Sequence, residues 1–102
     1  MAKKEQGRRD RATVQSVARS LDILEALADA ENGVGILDLS SRVSLHPSTA
    51  HRLLSTLIVR GYVRQDSETG RYSLGIRALH LGHAFQENSD IRAQARPFLQ
   101  RL

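Results

Sequence analysis

The spacing of apolar residues along this chain changes at Gly61. Before that point apolar side chains recur every three or four positions, the repeat of a single helix face. After it come two short β-prone runs, Tyr62-Val63-Arg64-Gln65 and Arg71-Tyr72-Ser73-Leu74. Between them lies Asp66-Ser67-Glu68-Thr69-Gly70. That is a hairpin, and a five-residue loop ending in glycine predicts a type I turn with a bulge at Gly70. Helical spacing then resumes at Ile76. The pattern predicts a mainly α domain with a small β-hairpin.

The helices preceding the hairpin can be read in order. Val17, Leu21, Leu24, Leu27 and Ala28 predict a first helix over residues 16–30, with Ser16 as its N-cap and Asn32 or Gly33 able to close it. Val34-Gly35 is too short for a strand of its own but can add to the hairpin. Ile36, Leu39 and Val43 predict a second helix over 36–43, with Gly35 at its N-cap and Asp38 suiting the dipole. Ser44-Leu45-His46 makes a tight turn. Pro47 fits the first position of a third helix, where its missing N–H would be unpaired in any case. Ala50, Leu53, Leu54, Leu57 and Ile58 form the apolar stripe of that helix, and Gly61 is a suitable residue beyond its end. Its opposite face carries Ser48, Thr49, His51, Arg52, Ser55 and Thr56.

Residues 1–13 hold almost nothing apolar and read as a disordered basic arm. From Gly75 a fourth helix runs through Ile76, Leu79, Leu81, Ala84 and Phe85, with residues 86–90 as a linker. Ile91, Ala95, Phe98, Leu99 and Leu102 predict a last helix, capped by Asp90 and interrupted or kinked by Pro97. Its apolar face has nothing later in the sequence to cover it, which points to a partner or a missing domain.

Composition narrows the function classes. With no cysteine, disulfides, thiolate zinc sites, iron–sulfur clusters and cysteine nucleophiles are excluded. No apolar run is long enough to span a membrane, and no apolar stretch follows the N-terminal charges as in a secretory signal. The expectation is a soluble cytoplasmic protein with no cofactor and no metal. The net charge is +4, but its distribution says more. No acidic residue stands between Asp38 and Asp66, while Arg42, Arg52, Arg60 and Arg64 and two histidines do. Cations without anions favour a polyanionic partner.

Helix, short extended segment, helix, turn, helix and hairpin, in that order, form the winged helix-turn-helix layout. A helix about 10–12 Å wide fills a DNA major groove about 12 Å across. Serine and threonine hydroxyls can meet phosphate or base, Arg52 can pair with guanine O6 and N7, and His51 can donate to either. Other readings stand beside this one. A winged helix can serve protein–protein contact. An enzyme has little support: Ser48 and His51 lack a third partner, and His80 and His83 on one helix face are a poor metal site.

The motifs resemble the IclR-type bacterial transcription regulators over about residues 14–85. Val14-Gln15-Ser16-Val17 with Arg19 and Leu21 looks like the opening of that family's domain. Ser48-Thr49-Ala50-His51-Arg52-Leu53-Leu54 looks like its recognition helix, in which Val usually stands where this chain has Ala50. Gly61-Tyr62-Val63, Glu68-Thr69-Gly70-Arg71-Tyr72 and Leu74-Gly75 look like its wing. Ser44 stands where glycine is common in the turn, a departure that costs about 1 kcal/mol if φ is positive. The resemblance implies a winged helix-turn-helix domain over 14–76, with the helix-turn-helix at about 36–55 and the wing at about 62–74. Residues 77–102 would be a linker helix and the start of a C-terminal effector domain that the chain lacks. It implies a homodimer on a palindromic operator, higher oligomers in the longer protein, and a small-molecule effector bound by the absent domain. Pro47, Ser48, Thr49, His51 and Arg52 are then expected at the major groove. Ser55 and Thr56 are expected beside a phosphate, Arg64 and Arg71 on the wing, and Arg19 and Arg42 as secondary phosphate contacts.

Overall fold

A computed structural model describes residues 13–88 and Pro97. Four helices and one hairpin follow in order: α1 (Gln15–Ala28), α2 (Ile36–Arg42), α3 (Pro47–Val59), β1 (Val63–Gln65), β2 (Tyr72–Leu74) and α4 (Ile76–Asn88). The expected element order is observed. The basic arm, apart from Thr13, and the last helix, apart from the exposed Pro97, lie outside the described residues.

The core is one cluster of Ile23, Leu27, Val34, Leu39, Leu54, Val63 and Tyr72, with Ala50 also buried. It corrects two predicted stripes. On α1 the buried residues are Ile23 and Leu27, whereas Val17 and Leu21 are more than half exposed and Ala28 is exposed. On α3 the stripe holds at Ala50 and Leu54, with Leu53 and Leu57 packed at its edge, but Ile58 is exposed. Helical spacing identifies apolar faces; it does not say which apolar face a neighbour covers. The first helix also begins one residue earlier than expected, with Val14 at its N-cap, so Ser16 sits inside the first turn.

The C-termini of α2 and α3 close in the same way. Leu45 N–H donates to Ser40 O at 2.9 Å and Ser44 N–H to Ser41 O at 3.3 Å. Tyr62 N–H donates to Leu57 O at 2.9 Å and Gly61 N–H to Ile58 O at 3.0 Å. These are paired 6→1 and 5→2 bonds around a left-handed residue, the Schellman closure. That residue is Gly61 at φ 85° after α3, but Ser44 at φ 57° after α2. Among the described residues Ser44 is the one non-glycine with positive φ. The hydrophobic contact that accompanies such closures is supplied by Leu45, which packs on the core.

The hairpin pairs Val63 with Leu74, Arg64 with Ser73 and Gln65 with Tyr72. Val34 adds to its outer edge: its N–H donates to Tyr72 O at 2.9 Å and its carbonyl accepts from Tyr72 N–H at 2.8 Å. The suggestion that residue 34 joins the hairpin therefore holds. The loop differs in detail from the type I turn with a bulge. Gly70 N–H donates to Asp66 O at 2.8 Å, four residues back, and Asp66 N–H to Arg71 O at 2.8 Å. The register continues without an inserted residue, and the left-handed glycine, φ 75°, ends the loop as expected. The Asp66 carboxylate organises this loop. It accepts from Thr69 Oγ1 at 2.8 Å and from Glu68 N–H at 3.2 Å. The Thr69 hydroxyl, then the Glu68 amide, hold its pKa below the ordinary aspartate value, with Arg64 adding a smaller pull.

The fourth helix extends through Asn88, so residues 86–88, expected in a linker, are helical. None of its residues is buried. It joins the body at its start, where Gly75 N–H donates to Tyr62 O at 2.8 Å and Arg77 N–H to Gly61 O at 3.1 Å. A Cβ on Gly75 would collide with the Gly61 carbonyl, so glycine is required at this crossing.

Two outcomes follow. Leu54→Ala should lower stability by about 2–5 kcal/mol in a denaturant titration, while Val59→Ala, at a position 84% exposed, changes it by less than about 0.5 kcal/mol. For Asp66 the folded state favours the charged form, so its contribution to loop order is full above the ordinary aspartate pKa. It is lost as pH falls through the lowered value. NMR titration of the Asp66 carboxyl should show that depression, and Thr69→Val should move it back towards the ordinary value.

Candidate nucleic-acid interface

The third helix turns a polar face to solvent because Ala50, Leu53, Leu54 and Leu57 are committed to the core on the other side. Ser48, His51, Arg52, Ser55 and Thr56 are exposed, and Pro47 and Thr49 are half-buried. No side chain caps its N-terminus and its first turn holds no acidic residue. Ser48 Oγ lies 3.4 Å from His46 Nδ1, which is a local contact ahead of the helix and not a Ser48–His51 pair. Ser55 Oγ donates to His51 O at 2.9 Å, leaving its oxygen lone pairs directed outward as acceptors.

Positions three and seven apart lie above one another on a helix. The polar face accordingly divides into two stripes, Ser48–His51–Ser55 and Thr49–Arg52–Thr56. Their surroundings differ. Thr49, Arg52 and Thr56 line an open cleft of about 430 Å³ whose opposite wall is α1, through Gln15, Ser16 and Arg19. Ser48, His51 and Ser55 do not line it. The sequence marks Gln15 only as part of the family's opening motif and Ser16 as a helix cap, not as part of a site; their spacing to Arg19, on the same side of one turn, is the signal that could have found them.

On the wing, Arg64 and Arg71 line a second cleft, of about 400 Å³, together with Glu31, Asp66, Thr69 and Ser73. Two carboxylates therefore share that cleft, and Arg64 contributes to the depressed pKa of Asp66. Arg42 is placed differently from the other expected contacts. Its guanidinium spans both oxygens of Asp38, with Nε–Oδ1 at 3.2 Å and Nη2–Oδ2 at 3.1 Å. That exposed pair is the one ion pair among the described residues and contributes about 0.3–0.5 kcal/mol. Arg19, Arg52, Arg64 and Arg71 make no ion pair among the described residues. His80 and His83 stand on α4 in a shallow groove with Ile76, Leu79 and Glu87. No described helix is long and apolar enough to cross a membrane.

Comparison with known proteins agrees with this geometry. Residues 16–67 match the IclR helix-turn-helix domain. The chain is 36% identical to the HTH-type transcriptional regulator BhcR of Paracoccus denitrificans over 96 residues, covering 94% of this chain and 34% of that protein. It is 36% identical to the transcriptional repressor IclR of Escherichia coli over 89 residues, covering 87% of this chain and 32% of that protein. Among solved structures, an IclR family transcriptional regulator from Brucella abortus superposes with a TM-score of 0.71 at 38% identity, over 85% of this chain and 33% of the other. The chain thus spans about one third of the length of these relatives, which are named as transcription regulators and not as enzymes. The outward polar helix, the paired hairpin and the matched residues together place this chain in the IclR family, as a winged helix-turn-helix domain of that family of DNA-binding transcription regulators.

Proposed function

We propose that this chain reads an operator in double-stranded DNA as the DNA-binding part of a bacterial transcription regulator, α3 lying in the major groove and the hairpin acting as the wing. The observation that carries the reading is the outward face of α3: hydroxyls, one histidine and one arginine, with no carboxylate from Leu39 to Gln65. Pro47 starts the helix, and Ser48, Thr49, His51 and Arg52 occupy its N-terminal half, the part that reaches base edges in helix-turn-helix proteins. Ser55 and Thr56 follow one turn on, nearer the backbone. Arg64 and Arg71 reach phosphates from the wing, and Arg19 from α1. Arg42, already held by Asp38, is the weakest of these contacts.

The active species is a homodimer on a palindromic operator. An apolar groove of about 500 Å³ supports this, lined by Val17, Leu21, Leu24, Leu57, Tyr62 and Leu81 among others. Val17 is 56%, Leu21 54% and Leu81 57% exposed. Contiguous apolar surface of this kind marks an association site, and a two-fold protein suits a two-fold operator. Residues 77–102 lead towards a C-terminal domain that binds a small-molecule effector and supports higher oligomers, the regulator working in the cytoplasm at the nucleoid. A winged helix serving protein contact is the second reading, and the same groove is what favours it.

Selection from a random-sequence duplex pool at two salt concentrations separates the two. The expected result is a motif with half-sites about 34–36 Å apart, or multiples of that, and affinity falling with salt by a slope of about 0.9 per phosphate neutralised. Salt-insensitive binding or no binding would favour the protein-contact reading. Leu21→Lys should shift the sedimentation equilibrium of the chain towards monomer without changing its helical content; an unchanged association state would remove the groove from the dimer.

A further inference from the structure

We infer that Arg19 of α1 and Arg52 of α3 jointly hold a single phosphodiester of the DNA backbone, with Thr49 and Thr56, and that base reading falls instead to Ser48 and His51. The inference rests on the DNA-binding reading above and assigns its contacts.

Four observations carry it. Arg19 and Arg52 line the same cleft from two different helices. Neither has an ion-pair or hydrogen-bond partner among the described residues, and Arg19 is half-buried. No carboxylate lines the cleft, in contrast to the wing cleft, which holds Glu31 and Asp66. Its remaining polar lining is Gln15 and the hydroxyls of Ser16, Thr49 and Thr56, all able to donate. Both arginines bring a cationic guanidinium to one concavity that no carboxylate lines. An anion there meets two cations from separate helices, and the planar forks of arginine suit phosphate oxygens.

The position of the cleft identifies the anion as backbone. A helix about as wide as the major groove touches bases along its leading edge and the groove walls along its flanks. The Thr49–Arg52–Thr56 stripe is the flank that meets α1, so it faces a wall, and the wall is sugar and phosphate. Ser48 and His51 of the other stripe are left at the leading edge. Arg52, which by residue type alone suits guanine, is by placement a phosphate contact that sets how α3 lies in the groove.

The test uses the 102-residue chain, the operator selected above and a random duplex. Arg19→Gln and Arg52→Gln should each weaken binding roughly tenfold, equally on both duplexes, and leave the selected motif unchanged. The double variant should lower the salt slope by about 0.9 per bound protomer, the value for one phosphate, and so by about 1.8 for the dimer on its operator, and lose less affinity than the two single losses combined. Ser48→Ala or His51→Ala should relax the motif at one position. A measurement on the unaltered chain guards against misfolded variants: a methylphosphonate scan of the operator should find one linkage per half-site whose neutralisation weakens binding. At that linkage the two arginine variants should show no further loss. Loss of a base preference in Arg52→Gln would overturn the inference while leaving DNA binding intact, as would additive losses with a slope change of about 1.8 per bound protomer. Absence of salt-dependent DNA binding by the unaltered chain would overturn the underlying reading as well.

Discussion

The backbone pair between Val34 and Tyr72 is the connection on which the geometry of this domain depends. A hairpin with three paired residues in each strand is not stable on its own in water. Here the chain between α1 and α2 supplies a third strand one residue long, bonded in both directions to Tyr72. Tyr72 and Val34 are both buried, so the pair is shielded from water and its side chains join the same core as Leu39 and Leu54. The wing is thereby tied to the loop that precedes the helix-turn-helix. Arg64 and Arg71 take a defined position relative to α3 because of that tie, together with Val63 and Tyr72 packing in the core against Leu54.

The turn between α2 and α3 shows a cost accepted for position. Ser44 adopts the left-handed conformation that glycine takes at Gly61, with the same pair of closing bonds. The strain is of the order of 1 kcal/mol. It is offset by the two carbonyls the closure satisfies and by Leu45 reaching the core. The angle between α2 and α3 is set at this point, which lets α2 brace α3 from behind while α3 keeps its polar face outward.

Much of this was legible in the residues. Pro47 and Gly61 mark the two ends of α3 because proline lacks an N–H and glycine tolerates positive φ, both local facts. The hairpin and the joining of Val34 were legible for the same reason. What could not be read was which of several apolar residues a neighbour would cover. The α1 sequence offers Val17, Leu21, Leu24, Leu27 and Ala28 at good spacing, yet the fold buries Ile23 and Leu27. Only the packing of α2, α3 and the hairpin decides that. The site divides in the same way. The residue types on α3 pointed to DNA, but the separation of the Arg52 stripe from the His51 stripe arises from α1 lying along one flank, a tertiary fact with no local signature. The extra helical residues 86–88 and the loop closed four residues back, where a type I turn was expected, were missed because helix ends and loop bonds depend on competing contacts of similar strength.

The crossing of Gly61 and Gly75 governs where α4 points. The helix is 13 residues long, with no buried residue, which makes it a rod of about 20 Å. Its root is bonded through backbone atoms to Gly61 and Tyr62, the residues that terminate α3. The absence of a side chain on Gly75 leaves no compressible layer between root and terminus. A 10° change in its direction at the root displaces its far end by about 3.5 Å. The direction α4 takes from the body is therefore set at one backbone crossing, beside the end of the helix that carries the polar face.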